Sequence, residues 1–159
     1  MKVPNLLHVT FFLAMTGTAM AQSRSLAEEV NLFGPEQAEF QQAMKEVPFG
    51  WNEHETTTDP GVLQADVQWL KDHPSVRFYI EGYASTRGED ILYNLVLSAK
   101  RAETVRQTLV GMGISENRIV ITTGWGQLYP LCTEKNDVCF ARNRRVMFRY
   151  VPSLQDSRK

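Results

Sequence analysis

Several polar side chains in this chain are of types that can bind a charged ligand. Tyr83 and Ser85 follow Gly82, then Asn94, Ser98 and Arg101 recur at helical spacing, and Asn143-Arg144-Arg145 comes late. A forked guanidinium among hydroxyls and amides suits the holding of a carboxylate through paired hydrogen bonds. Bond-breaking chemistry is poorly served by comparison. His54 sits between Glu53 and Glu55, an acid–base cluster by type, but three adjacent loop residues ordinarily project into solvent. The chain shows no nucleophile, base and orienting group in combination and no phosphate-binding loop, so no enzyme and no cofactor is implied.

The two cysteines, Cys132 and Cys139, read as a disulfide. A metal site would need further ligands, and His54 and His73 do not stand at zinc-ligand spacing from the pair. The spacing Cys-x6-Cys also lacks the adjacency of a redox Cys-x-x-Cys. A bridge is favoured in an exported chain, and the first residues predict export. Lys2, the apolar stretch Leu6 to Met15 and Ala19-Met20-Ala21 read as a secretory signal peptide over 1–21, cleaved after Ala21. The apolar run is shorter than the roughly 20 residues of a membrane span. The expectation is a periplasmic mature chain without a transmembrane segment.

About 138 residues after cleavage suffice for one domain with one core. With 43% hydrophobic and 22% charged residues the composition is that of an ordinary globular protein. A net charge of -1 without a basic stripe argues against nucleic acid as a partner, since phosphate neutralisation needs clustered positive charge.

The elements that must position these side chains follow from periodicity. Residues 22–45 read as a linker and lead-in helix, with Gly34-Pro35 as a break and Phe40 and Met44 on one face. Val47, Phe49 and Trp51 alternate with polar or small residues as a first strand, at an edge because Pro48 has no N–H. Asp59-Pro60 opens a helix with Val62, Leu63, Val67 and Leu70 on its stripe, ended by Pro74. Val76, Phe78 and Ile80 alternate in a second strand. A longer helix carries Ile91, Leu95, Ala102, Val105, Leu109 and Met112 and stops at Gly111 and Gly113. Residues 118–123 form a third strand and 146–150 a fourth, with 124–142 between them as a long loop. Tail residues 152–159 are expected to be disordered. The fold class is α+β, a two-layer sandwich with two helices on one face of a mixed four-stranded sheet, in the chain order β-α-β-α-β-β.

These elements, together with Gly82-Tyr83-Ala84-Ser85, Arg87-Gly88, Asn94, Leu97-Ser98, Arg101-Ala102 and Asn143-Arg144-Arg145, resemble the OmpA-like peptidoglycan-binding domain over 46–151. The turn is most similar to that of the peptidoglycan-associated lipoprotein group, although no cysteine stands at the cleavage point to carry a lipid. The resemblance implies a non-catalytic partner of peptidoglycan whose pocket holds the diaminopimelate of the stem peptide. In such domains an Asp in the turn takes the ligand's ammonium and the helix arginine takes a carboxylate. Arg101 stands at the arginine's position, whereas Ser85 and Asn52 stand where the family has acids. Glu89 or Asp90 is a possible substitute for the lost charge.

The resemblance thus implies a ligand set of Arg101, Ser85, Tyr83, Asn94, Asn52 and one of the pair Arg144 and Arg145, with Arg145 included. Adjacent strand residues face opposite ways, and the sequence leaves open which arginine faces the pocket. Tyr83 either stacks on the ligand or fills a histidine's volume. Asn94 also suits a bond to turn backbone, and Ser98 a packing position. Removing Arg101 is expected to weaken ligand binding and leave the fold intact. Two functions remain open: a wall-binding module that ties the envelope to peptidoglycan, and an OmpA-like scaffold with a degenerate pocket that contacts outer-membrane or other envelope proteins.

Overall fold

The computed structural model describes residues 35–55, 60–87 and 90–152. The expected signal peptide, most of the linker, Glu89 and nearly all of the tail lie outside the described residues.

Four α-helices and four strands are described: α1 (Pro35–Ala43), β1 (Val47–Pro48), α2 (Pro60–Asp72), β2 (Arg77–Gly82), α3 (Ile91–Gly111), β3 (Ile119–Gly124), α4 (Asp137–Asn143) and β4 (Arg145–Val151). The sheet order is β1-β4-β2-β3. β4 runs antiparallel to β1 and to β2, so β1 and β2 point the same way with β4 inserted between them. β3 pairs in parallel with β2, from Phe78 opposite Ile119 to Gly82 opposite Gly124. The mixed α+β sandwich read from the sequence is therefore the fold.

Alternation along β2 divides the sheet's two faces. Phe78 and Ile80 are fully buried in one hydrophobic cluster with Leu63, Val67 and Leu70 of α2, Ala102, Val105 and Leu109 of α3, and Val146 and Tyr150 of β4. The cross-strand pairs Phe78 with Tyr150 and Gly82 with Val146 keep this face apolar along its length. Tyr79 and Glu81 point the other way. Glycine allows α3 to lie directly on the strand ends. A Cβ on Gly82 would stand 2.0 Å from the Ser98 carbonyl oxygen, and one on Gly124 would stand 2.3 Å from the Ala99 nitrogen. The helix backbone thereby meets the ends of β2 and β3, which delivers Asn94, Ser98 and Arg101 to the turn after β2.

Three sequence expectations change. The lead-in helix α1 belongs to the core: Phe40 is fully buried, with its ring 5.7 Å from Trp69 edge-on and 5.7 Å from Tyr150. The first strand is only two residues long, because the chain leaves the sheet at Phe49 and turns through Asn52 at a φ of 56°, a backbone state that asparagine tolerates better than most residues. The segment 124–142 is not all loop. Asn136 caps a short helix there by accepting from the Cys139 N–H at 2.9 Å. Seven residues are too few for apolar periodicity to announce that helix.

Candidate functional site

Arg101 is the largest fully buried side chain among the described residues. Its Nε donates to the Glu53 carbonyl at 2.8 Å, Nη1 to the Tyr83 carbonyl at 3.1 Å and Nη2 to the Gly50 carbonyl at 2.9 Å. These bonds tie the turn after β1 to the turn after β2. Its guanidinium also lies 5.4 Å from the Phe49 ring centroid. Burial, and the neighbouring Arg144 charge after it, lower the Arg101 pKa to about 10, so the group remains a cation at neutral pH. Three of its five N–H donors are engaged by these carbonyls.

Around this arginine the chain forms a narrow cleft lined by Trp51, Asn52, Ser85, Asn94, Arg101 and Arg144 among others, with a free volume of about 10 Å³. That is room for roughly one water. Ser85, expected beside the ligand's ammonium, lines the cleft and is only 4% exposed. Asn52 lines it from the opposite turn, and its side-chain oxygen accepts from the Tyr93 hydroxyl. Asn94 is buried, and its amide donates to the Ser85 carbonyl at 3.2 Å and to Gln127 Oε1 at 2.8 Å. It braces the turn in the manner of a structural asparagine. Ser98 does similar work one turn later, accepting from the Gly126 N–H at 2.8 Å and donating to the Leu95 carbonyl at 2.9 Å.

The two late arginines separate. Arg144 lines the cleft, donates to the Phe49 carbonyl at 3.2 Å, and has its pKa lowered first by burial and then by the nearby Arg87 charge. Arg145 begins β4 on the sheet face away from the core, 4.1 Å over the Tyr83 ring. Tyr83 is divided likewise: its carbonyl accepts from Arg101, while its hydroxyl donates to Glu81 Oε2 at 2.9 Å. Burial and the Glu81 hydrogen bond push the Tyr83 hydroxyl up to about 12, so it stays protonated.

No carboxylate lines the cleft among the described residues. Asp90, considered as a substitute acid, is engaged as the N-cap of α3, where Oδ1 accepts from the Leu92 N–H at 2.6 Å. The cleft as built is amide-rich and holds two guanidiniums, on both of which the Glu53 charge acts from outside the lining. Sequence reasoning missed the carbonyl clamp around Arg101, since backbone acceptors leave no trace in residue types.

The cysteines do form the bridge Cys132–Cys139. Glu134 lies close to both sulfurs, but bridged sulfurs are not the thiolates that metal binding requires. Asn143 bolts the same loop to α4 by accepting from the Leu131 N–H at 2.8 Å and donating to the Cys132 carbonyl at 2.9 Å. Among the described residues no helix is long and apolar enough to cross a membrane.

Comparison with known proteins agrees with this arrangement. The model of the OmpA family matches residues 56–144. The chain is 35% identical over 85 residues to a peptidoglycan-associated lipoprotein of Brucella melitensis, covering 54% of this chain and 49% of that protein. The chain thus spans about half the length of that relative. A peptidoglycan-associated lipoprotein of Haemophilus influenzae is 27% identical over 114 residues, covering 71% of this chain and 73% of that protein. The crystal structure of the peptidoglycan-associated lipoprotein from Burkholderia pseudomallei superposes with a TM-score of 0.62 at 30% identity, covering 67% of this chain and 90% of the other. The C-terminal domain of Helicobacter pylori MotB shares the fold alone, with a TM-score of 0.58 at 15% identity over 71% of this chain and 88% of that one.

Proposed function

Since the chain belongs to the OmpA family, we propose that it is a non-catalytic periplasmic module that binds peptidoglycan and ties the cell envelope to the wall. Its ligand on this reading is the diaminopimelate end of the stem peptide. The observation that carries the reading is the meeting of two guanidiniums, Arg101 and Arg144, with Ser85 and Asn52 in one cleft that has no lining carboxylate. Glu53 acts on both arginines only from outside this lining, so a ligand carboxylate would be the first to bond them inside it. The ammonium of the same ligand end would meet only the Ser85 hydroxyl and the Asn52 amide, which supports weak binding.

A second reading is favoured by the geometry of Arg101. A guanidinium held by three backbone carbonyls, beside a cleft of about 10 Å³, also suits an OmpA-like scaffold that contacts outer-membrane or other envelope proteins and no longer takes the stem peptide. Sedimentation with purified sacculi, with and without an excess of soluble peptide ending in diaminopimelate, separates the two. Binding that the peptide competes away supports the pocket. Binding that persists at saturating peptide, or no binding at all, rejects it.

A further inference from the structure

On the sheet face opposite the core lies a groove of about 530 Å³ lined by Tyr79, Glu81, Tyr83, Trp125, Tyr129 and Arg149. We propose that this groove is a saccharide subsite, which takes an uncharged N-acetylated sugar ring. The proposal rests on the peptidoglycan reading for the ligand's biological source, the wall's glycan, and on the groove alone for its chemistry.

The walls are aromatic and set at a corner. Trp125 and Tyr129 meet edge to face, with centroids 5.5 Å apart and planes at 83°. Tyr129 remains 59% exposed. Flat rings lining an open groove suit the apolar C–H faces of a sugar, while a sugar's hydroxyls need acceptors and donors at the floor. Both are present. Glu81 forms an ion pair with Arg149 at 2.9 Å, its side chain only 8% exposed, and it also receives the Tyr83 hydroxyl. Every one of these bonds falls on Oε2. Oε1 has no hydrogen-bond partner among the described residues and is not a buried orphan, so water reaches it and a ligand donor would take that water's place.

Charge decides the ligand class. Glu81 and Arg149 neutralise each other, and Arg145 stands over the Tyr83 ring from the same side. A cationic ligand would meet an acid already paired, and an anionic one would meet guanidiniums already paired, Arg149 with Glu81 and Arg145 with Glu46 at 3.8 Å. A purely apolar protein surface would seal Oε1 from water without a donor. A neutral polyol with apolar ring faces meets neither penalty. The groove also adjoins the cleft through one residue, since the Tyr83 carbonyl serves Arg101 while its ring lines the groove. A sugar here and a peptide in the cleft would lie on two sides of the same backbone.

The test is an NMR titration of the protein with a β-1,4-linked N-acetylglucosamine trimer, which carries no peptide. Saturable shifts of the Trp125 indole and of residues 79–83 are expected, with Trp51 and Trp69 unmoved. Tyr129→Ala removes one exposed ring and should weaken the affinity about tenfold, or about 1.4 kcal/mol. No saturable shift up to about 20 mM trimer, against the millimolar affinity expected of so weak a site, would overturn the proposal. So would saturation that Tyr129→Ala leaves unchanged, or shifts at the Trp125 indole caused by sugar-free stem peptide, which would make the groove a peptide site. The cleft is tested with sugar-free peptide alone, so either site can fail without the other.

Discussion

Replacing Arg101 with alanine is expected to destabilise the fold as well as any ligand complex, contrary to what its place in a binding motif implies. Its hydrogen bonds to Gly50, Glu53 and Tyr83 come from a charged donor, and each such bond contributes about 1.5–3 kcal/mol. Against that stands desolvation of the guanidinium. Burial lowers its pKa to about 10, below the ordinary guanidinium value, which corresponds to about 3.5 kcal/mol at about 1.4 kcal/mol per pH unit. Water entering the vacated space would also re-satisfy some of the carbonyls. The net loss expected for Arg101→Ala is therefore roughly 2–5 kcal/mol. Urea denaturation followed by far-UV circular dichroism measures it. Arg101→Lys should recover only part, because an ammonium cannot present a planar fork to three carbonyls. A loss under about 0.5 kcal/mol for Arg101→Ala, the range of ordinary surface substitutions, would refute the carbonyl clamp as a structural element.

Asp66 of α2 is fully buried, Oδ1 accepts from the Lys45 N–H at 3.1 Å, Oδ2 has no partner, and burial raises its pKa to about 6 from 3.8. The protonated form suits the fold, so this contribution is complete below pH 3.8 and is lost as pH rises through about 6. Asp66→Asn should therefore stabilise the protein by up to about 3 kcal/mol at neutral pH and hardly at all in acid; equal gains at both pH values in urea titrations would contradict this. Ser85→Asp places a carboxylate in the cleft with Arg101 and Arg144 and should raise affinity for a diaminopimelate peptide by up to about tenfold, with the gain shrinking in salt. Calorimetry at two ionic strengths is the check, and an unchanged or lower affinity would place the ammonium elsewhere. Changing both Cys132 and Cys139 to serine should cost roughly 1–3 kcal/mol in thermal or urea unfolding without loss of the fold, because Asn143 still holds the loop. Global unfolding of the double variant would show the bridge to be indispensable.

Legibility followed period and burial. α3 and β2 are readable because their apolar residues repeat over 21 and six residues, long enough for a stripe or an alternation to stand out. β1 and α4 are not, since two and seven residues carry too little pattern and are set by a turn and a cap. The placement of Arg145 was hidden for a different reason. Its neighbour Arg144 has the same chemistry, and only the register of Val146 with Gly82 determines which of the two faces the core side of the sheet. The Glu81–Arg149 pair was also invisible, because it depends on Tyr79 standing opposite Arg149 across β2 and β4. Residue types could be matched to a motif, but which side of a strand they occupy is a property of pairing.

Arg118 shows what the arginine clamp means for function. It donates to the Val76, Leu70 and His73 carbonyls, each at 2.8 Å, where α2 ends and β2 begins, and no ligand role attaches to it. Arg101 repeats the device at the other end of β2, but there the guanidinium also borders a cleft. Structural use and ligand use are not rivals at such a position. The carbonyls fix the guanidinium in one geometry during folding, so a carboxylate that reaches its two remaining N–H groups need not immobilise a flexible side chain. That ordering otherwise costs about 0.5–1.5 kcal/mol per side chain on binding. A motif-matched arginine can thus carry a large stability effect and still be the best prepared group in its pocket. Binding experiments on Arg101 variants are accordingly decisive only at temperatures where the variant is shown to be folded, whereas Ser85→Asp alters the same cleft and keeps Arg101 and its three carbonyl acceptors.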